Sequence, residues 1–529
     1  MKPPPNLCPY TTHDALTRAA TLAPDVEAII APTGRLTYAQ LETEVATIRG
    51  ALAAIGVQHG EHVGICAGNG PRWMALFLAI GSLGAIAIPI NTRLRADEIA
   101  YALKQSRTRT LFLAETLLHI DFLSLLRSIE PAIDSTLPGN TLPDLHRLIV
   151  IDRDWPQFIA KSQPTPPACK PDDTLLIQYT SGTTAFPKGV LLRHCSMLGN
   201  GFVSGGRMGL RIADRFHSAR PFFHVAGSAL SILACVQHAA TLVTMERFDA
   251  AEALALMESE RCTHFSGNDT MALMLLNHPS RAQRRLSLRG AWVAASPTII
   301  RRVIDELGAT ECVAGYGLSE ASPNIAQSCW WEPEAIRVAS RMRPQPGVEI
   351  RISDTSEIQV RGYTIMQGYF DKPEETANAL SPDGWLSTGD LGRLGPDGRL
   401  EFLGRAKDLI RVGGENVAPA EIENILNRHP AIRQAVVVGV PDPRLIEVPC
   451  AFVILNDGHP PETAPATILQ WSRTAMASFK SPRYIQIVES FEHIGMTASS
   501  KIQKKQLREH AIKLLHLDEI PSPPVRGPG

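Results

Sequence analysis

The stretch YTSGTTAFPKGV (179–190) gathers five hydroxyl side chains, two glycines and a lysine held between Pro187 and Gly189. Ser181, Thr183 and Thr184 supply O–H donors, Gly182 lets backbone N–H groups approach a ligand closely, and Lys188 adds a positive charge. Together these suit a phosphate. A solvated hairpin rich in Ser and Thr has the same composition, so the stretch alone leaves both readings open. It departs from the nucleotide-binding loop G-x-x-x-x-G-K-S/T, whose lysine opens a helix. Here Lys188 is followed by Gly189 and the apolar run Val190, Leu191, Leu192, so the loop is expected to join two strands.

Such a loop needs firm elements on either side. Residues 175–179 read as a buried strand leading into it. Upstream, Leu41, Val45, Ile48, Leu52 and Ile55 fall at helical spacing, opened by the Thr37/Gln40 capping pattern and closed by Gly56. Strands are expected at 63–66, 85–90 and 292–295, and a helix at 297–307 with Ser296 as its cap, Pro297 in its first position and Gly308 at its end. The longest apolar run, 73–90, contains Gly81, Ser82, Gly84 and Pro89 and is shorter than the roughly 20 residues a membrane helix needs. It reads as a buried helix running into a buried strand. Helices alternating with strands predict an α/β sheet.

Past Gly404 the texture changes to GRAKDLIRVGGENVAPAEIE, then a helix at 420–428, strands at 432–440 and 448–455, and a lysine-rich end. This is expected to be a small α+β domain of roughly 120 residues. The expected division is 1–404, 405–519, and a disordered tail at 520–529, IPSPPVRGPG.

A chain of 529 residues is too long for one core. Lys plus Arg number 52 and Asp plus Glu 53, a net charge of −1, so no global field draws in nucleic acid or anionic membrane. Any anion must be met locally. The nine cysteines are widely spaced without a C-x-x-C pair, which supports neither a metal site nor a disulfide framework and fits a reducing, cytoplasmic location. The start, MKPPPNLCPYTTHD, lacks the apolar core of a signal peptide, and no transmembrane segment is expected. A homodimer is compatible with this composition.

The stretch 179–190 resembles the signature loop of the adenylate-forming superfamily, which comprises acyl- and aryl-CoA synthetases, luciferases and peptide-synthetase adenylation domains. Further family motifs follow in order over nearly the whole chain: GYGLSE (315–320), STGD (387–390), GRAKDLIRVGGENVAP (404–419) and TASSKIQKKQLR (497–508). The resemblance implies a large N-terminal domain of stacked αβ sheets, αβαβα in type, and a small, mobile α+β C-terminal domain. It implies an AMP-forming carboxylate:CoA ligase that uses ATP, Mg2+ and coenzyme A. An acyl-adenylate forms with release of pyrophosphate, then a thioester with release of AMP.

By this resemblance Thr180, Ser181, Gly182, Thr183, Thr184 and Lys188 hold the outer phosphates of ATP. Gly315, Tyr316 and Ser319 lie against the nucleotide, and Glu320 helps hold Mg2+, a hard cation suited to carboxylate and phosphate oxygens. Asp390 is implied to accept from the ribose hydroxyls and Arg405 to reach ribose or phosphate. Lys407 lies where the domains pivot, and Gly413 and Gly414 where pantetheine passes. Lys501 is implied to enter the active site from the small domain and contact carboxylate and α-phosphate. Surface charge runs are the plain alternative for Lys407 and for the set Lys501, Lys504, Lys505 and Arg508; a structural turn is the alternative for the glycine pair.

PFFHVAG (221–227) resembles the P-x-F-H-x-x-G segment of acyl- and aryl-CoA ligases, with His224 gating or lining the acyl pocket or satisfied in the core. Amino-acid-activating relatives carry an aspartate just after the aromatic residue, where this chain has His224 and Val225. An aliphatic, alicyclic or aromatic acid is therefore expected, in a mostly apolar wall of Val225, Ala226, Gly227, Ser228, the 294–297 turn and Gly315. Ala185 and Ser500 replace family glycines, and IGMT (494–497) and LIEVP (445–449) depart from the usual LPxT and WGE-like sequences. Two alternatives remain: an acyl-AMP ligase loading a carrier-protein phosphopantetheine, and a non-catalytic nucleotide-binding protein.

Overall fold

The computed structural model describes residues 1–180, 187–413, 415–496 and 502–517. Two seven-stranded sheets dominate it. In one, Glu311–Val313, Gly290–Ala294, His264–Asn268, Arg215–Ser218, Thr241–Val243 and Glu27–Ala31 run parallel, and Gly34–Thr37 is antiparallel at the edge. In the other, Arg147–Val150, Thr110–Leu113, His62–Cys66, Ile86–Pro89 and Thr174–Thr180 are parallel. Lys188–Arg193 then returns antiparallel on Thr174–Thr180 and pairs outward with Gly368–Tyr369. The hairpin expected around 179–190 is therefore present.

Two helices occupy the layer between the sheets. Pro71–Leu83 is buried from Trp73 to Leu83, and His194–Met208 is buried on nearly every side; each contacts strands of both sheets. A helix with no polar face can only be stable when covered all round. Outer helices such as Pro297–Leu307 expose one polar face, giving the αβαβα arrangement. The run 73–90 is indeed a buried helix followed by the strand Ile86–Pro89, separated by Gly84 at φ +79°. The helix expected from 37 spans Tyr38–Ala54 and carries the full Thr37/Gln40 capping box. Ser296 stands at the cap position of Pro297–Leu307, but its hydroxyl makes no cap bond.

A four-stranded antiparallel sheet of Val348–Ile352, Glu357–Gly362, Leu386–Leu394 and Leu400–Arg405 follows. A separate five-stranded sheet begins at Ile410–Val412 and contains Glu415–Val417, Ile446–Leu455, Ile432–Asp442 and Tyr484–Ile487. Alternation along Ile432–Asp442 sends Ala435 and Val437 to one face and Val436 and Val438 to the other. The first face packs against the helices Pro419–Leu426 and Ala464–Ala475, the second against Lys504–Leu514. This small α+β unit has its own two cores. The tail at 520–529 lies outside the described residues, and among those residues no helix is long and apolar enough to cross a membrane.

Three buried histidines give the fold a pH dependence. Burial holds His194 and His217 down to about 4, from an ordinary 6.5, and also depresses His264. In the folded chain they stay neutral, while the unfolded chain takes up protons below pH 6.5. Stability is therefore full above pH 6.5 and falls on acidification toward pH 4, by up to about 1.4 kcal/mol per pH unit for each histidine. Urea midpoints across this range check the slope. His217, whose ring nitrogens both lack partners among the described residues, is the cleanest probe: His217→Leu is expected to make the slope shallower.

Candidate active site

Thr180 and Lys188 face each other across the two strands of the hairpin, and residues 181–186 between them, including Ser181, Gly182, Thr183, Thr184 and Ala185, lie outside the described residues. Lys188 places its ammonium 4.9 Å from the centre of the Tyr369 ring, a favourable cation–π arrangement. The Tyr369 hydroxyl donates to Glu320 Oε1 at 3.0 Å. Burial, and then the nearby Glu320 charge, push the tyrosine pKa well up, so the hydroxyl stays a donor. Glu320 is further fixed through its carbonyl, which accepts from Met366 N–H at 2.8 Å. Lys188, Tyr369 and Glu320 thus form one continuous polar chain, although the lysine and the glutamate are 132 positions apart in sequence.

A second carboxylate lies beyond Tyr316. Asp390, in Leu386–Leu394, is 5% exposed and accepts from the Tyr316 hydroxyl at 2.9 Å through Oδ2. Strand pairing sets Arg405 opposite it, with Nε 3.5 Å from Asp390 Oδ1. Burial first and Asp390 second push the Tyr316 pKa up, so it too remains a donor. The ring of Tyr316 stacks on Phe402, centroids 5.2 Å apart. Thr388 Oγ1 accepts from the Asp390 N–H at 3.1 Å, which steadies the turn carrying the carboxylate. Ser319 opens the short helical turn Ser319–Ala321 that presents Glu320.

Gln178, on the strand entering the loop, donates to Phe223 O at 3.0 Å and so ties the hairpin to PFFHVAG. His224 is half-buried, and its Nδ1 accepts from the Ala226 N–H at 3.1 Å, which caps the turn Val225–Gly227. A Cβ on Gly227 would stand 2.1 Å from Pro221 O, so only glycine fits there. In the middle of Gly290–Ala294 the indole edge of Trp292 fills the space a Cβ on Gly315 would need, at 2.6 Å. Gly315→Ala is accordingly expected to cost about 1–3 kcal/mol of stability through overpacking. Adding Trp292→Phe should recover part of that loss in urea denaturation; strict additivity of the two changes would show that these residues do not touch.

In the small unit, Lys407 is exposed in the turn Ala406–Asp408. Gly413 adopts φ +59° and donates its N–H to Leu445 O at 2.8 Å, while Gly414 lies outside the described residues. Lys501 and Ser500 also lie outside them. Lys504 pairs with Glu423 at 2.8 Å and Arg508 with Glu447 at 2.5 Å, so these two cations brace the small unit, whereas Lys505 is exposed.

Tyr369, Phe402, Trp292 and Arg220 escaped the sequence reading. Tyr369 and Phe402 reach the site only through strand pairing, which leaves no local signal. Arg220 did leave one, as a charge in the approach SAR to an apolar segment. Among the described residues no three His, Cys, Asp or Glu side chains gather as a metal cluster.

The C-terminal edges of both large sheets, the hairpin and the Tyr–carboxylate pairs describe a nucleotide-using α/β enzyme with a separate small domain. Comparison with known proteins agrees. The family model described as AMP-binding enzyme matches residues 16–370, and that of the AMP-binding enzyme C-terminal domain matches 421–501. A CoA ligase of Mycobacterium tuberculosis, named for a propanoyl chain on a methyl-dioxo-octahydroindenyl ring, is 35% identical over 94% of this chain and 98% of its own. The mitochondrial medium-chain acyl-CoA ligase ACSF2 of Homo sapiens is 30% identical over 96% of this chain and 88% of its own. The crystal structure of the anthranilate CoA ligase AuaEII with anthranoyl-AMP superposes with a TM-score of 0.86 at 27% identity, covering 96% of this chain and 98% of that one.

The chain belongs to the AMP-binding enzyme family, within the adenylate-forming superfamily. Its activity is that of an AMP-forming acid–CoA ligase, ATP-dependent and proceeding through an acyl-adenylate.

Proposed function

We propose that this ligase activates an aliphatic, alicyclic or aromatic carboxylic acid, with the phosphates of ATP between Lys188 and Glu320 and the ribose at Asp390. The observation that carries this is the chain Lys188–Tyr369–Glu320, which sets a cation and a carboxylate on either side of one tyrosine, with Lys188 opening the strand Lys188–Arg193. A carboxylic acid cannot acylate a thiol at neutral pH until its oxygen becomes a good leaving group. Attack on the α-phosphate achieves this, and the site must offset the charge that builds on phosphorus and on pyrophosphate.

In this reading Thr180 to Thr184 and Lys188 bind the outer phosphates, and Gly315, Tyr316 and Ser319 line the nucleotide. Asp390 has the buried, tyrosine-anchored carboxylate that two ribose hydroxyls require, and Arg405 supports it. Glu320 fits Mg2+ as a hard oxygen ligand, since one carboxylate completed by phosphate oxygens and water is an ordinary environment for that ion. When bound, Mg2+ would neutralise charge on the phosphate oxygens. Gly413 and Gly414 flank the path of pantetheine, His224 lines the acyl pocket, and Lys501 stabilises the adenylation transition state. The division into a large and a small domain is placed near residue 405, and the pairing of Arg405 in the four-stranded sheet supports a boundary just after it. Relatives named for a ring-bearing propanoyl group and for medium-chain acyl groups support an aliphatic or alicyclic acid.

The test is pyrophosphate release over short, medium, long, alicyclic and aromatic acids, with and without CoA. The expected result is release with at least one class, and thioester only when CoA is present. Adenylate without thioester would point to a carrier-protein acceptor; no release from any acid would point to a non-catalytic nucleotide-binding protein.

A further inference from the structure

Arg220 follows the strand Arg215–Ser218 and directly precedes PFFHVAG. Its guanidinium lies over the ring of Trp292, 4.6 Å from the centroid. Nε donates to Ser266 Oγ at 2.8 Å and Nη2 to Gly267 O at 2.7 Å. Neither acceptor is charged, and among the described residues no carboxylate pairs with this cation. A guanidinium has five N–H donors, and no described residue bonds Nη1. Burial without a counter-charge lowers the Arg220 pKa to about 10, which reflects the same isolation.

The position of this cation follows from the sheet. Ser218, Ser266 and Trp292 stand side by side across three neighbouring parallel strands, so they share one face. Ser218 on that face bonds Ser231 at 2.8 Å, in the helical segment that continues from His224. Arg220 therefore bonds, through Ser266, the same sheet face that Ser218 ties to the segment continuing from His224. Trp292 links it to the nucleotide side, because the indole edge is what meets Gly315, next to the Tyr316–Asp390 pair. Trp292 Nε1 is buried without a partner among the described residues, and so is the Ser296 hydroxyl four positions further along the chain. Arg220 and Trp292 lie against each other beside PFFHVAG, and Ser296 falls in the 294–297 turn that the sequence assigns to a mostly apolar acyl wall. An unpaired buried donor such as Trp292 Nε1 is costly, and an oxygen acceptor brought by the substrate would meet both it and the open N–H groups of the partly exposed Arg220 guanidinium.

We propose that Arg220, laid on Trp292, makes this enzyme select acids that carry an oxygen acceptor, a ketone or a second carboxylate, on the acyl portion away from the reacting carboxylate. The inference rests on the acid–CoA ligase reading and deepens its substrate class. Arg220 acts as a specificity-determining residue and takes no part in the bond-making step.

The experiment compares kcat/KM for pyrophosphate release with octanoate, an oxo-octanoate bearing its ketone near the distal end, and suberate, together with a matched alicyclic set. Wild type is expected to favour an oxygen-bearing member over its plain counterpart by about 10- to 100-fold, the scale of one charge-assisted hydrogen bond. Whether ketone or carboxylate is preferred identifies the acceptor. Arg220→Met is expected to abolish that preference while leaving the plain acid within about threefold, within the modest effect of a changed apolar contact. If Arg220→Met melts early, Arg220→Lys serves instead, keeping the charge while losing the forked contact with Ser266 and Gly267; it should keep a preference for the dicarboxylate and lose one for the ketone. Equal losses on all acids would mean that Arg220 only braces the strands, and would overturn the inference while leaving the ligase reading intact. A wild-type preference for the plain acids would do the same. Absence of release from any acid would overturn both.

Discussion

Lys501→Ala is expected to slow acyl-adenylate formation by about 100-fold or more, the usual cost of removing one preorganised charge from a developing oxyanion. Thioester formation from supplied acyl-adenylate should remain within a few fold, since by then the α-phosphate has already been attacked. Isotope exchange between pyrophosphate and ATP measures the first half-reaction, and CoA consumption from synthetic adenylate measures the second. Neighbouring lysines provide the contrast. Lys504 is bonded to Glu423, so Lys504→Ala should lose only the modest stability of a partly exposed ion pair, up to about 1 kcal/mol, with exchange nearly unchanged. An unaltered exchange rate in Lys501→Ala, or equal losses in both half-reactions, would remove that lysine from the adenylation step.

Glu320→Gln is the second large effect. The amide oxygen can still accept from the Tyr369 hydroxyl, so the Lys188–Tyr369–Glu320 geometry is retained and only the charge is lost. Stability should change by less than about 0.5 kcal/mol, as expected where no buried partner is orphaned. The kcat/KM for adenylation should fall about 100-fold, in keeping with lost electrostatic stabilisation at a phosphoryl centre. The rate should also require more Mg2+ to saturate, because a neutral amide is a weaker ligand than a carboxylate for a hard cation. Wild-type Mg2+ dependence in the variant would assign Glu320 to a structural role. Tyr369→Phe separates the two functions: the phenyl face still meets Lys188, but Glu320 loses its anchor, so a smaller effect than that of Glu320→Gln is expected.

Much of the larger part was legible in order along the chain. Capping at Thr37 and Gln40, the glycines at 56, 84 and 308, and the uniformly apolar runs are local signals, and the elements formed where they indicate. Two details were not. Ser296 occupies the cap position without making the cap bond, because placement at a helix start does not guarantee the hydroxyl's orientation. Arg405, at the expected domain boundary, ends a strand of the four-stranded sheet, and its pairing against Asp390 had no local signal. A change in composition marks a boundary only approximately, since strand pairing across it has no compositional trace.

Glu320 and Asp390 were indicated only by the resemblance of their motifs to the adenylate-forming superfamily. The sequence by itself determined the α/β class of fold, the two strands that flank residues 181–186, and a net charge near zero. These depend on local periodicity, turn chemistry and short-range spacing, which the chain carries within a few residues. Only the tertiary structure decided that Tyr369 bridges Lys188 and Glu320, that Tyr316 anchors Asp390, and that Arg220 lies on Trp292 with no carboxylate partner among the described residues. Each of those contacts joins residues tens to hundreds of positions apart, brought together by strand order and register. Hydrophobic burial drives the sheets and helices together with little regard to direction; hydrogen bonds and ring contacts then depend on which strands became neighbours, a property no single segment of the sequence contains.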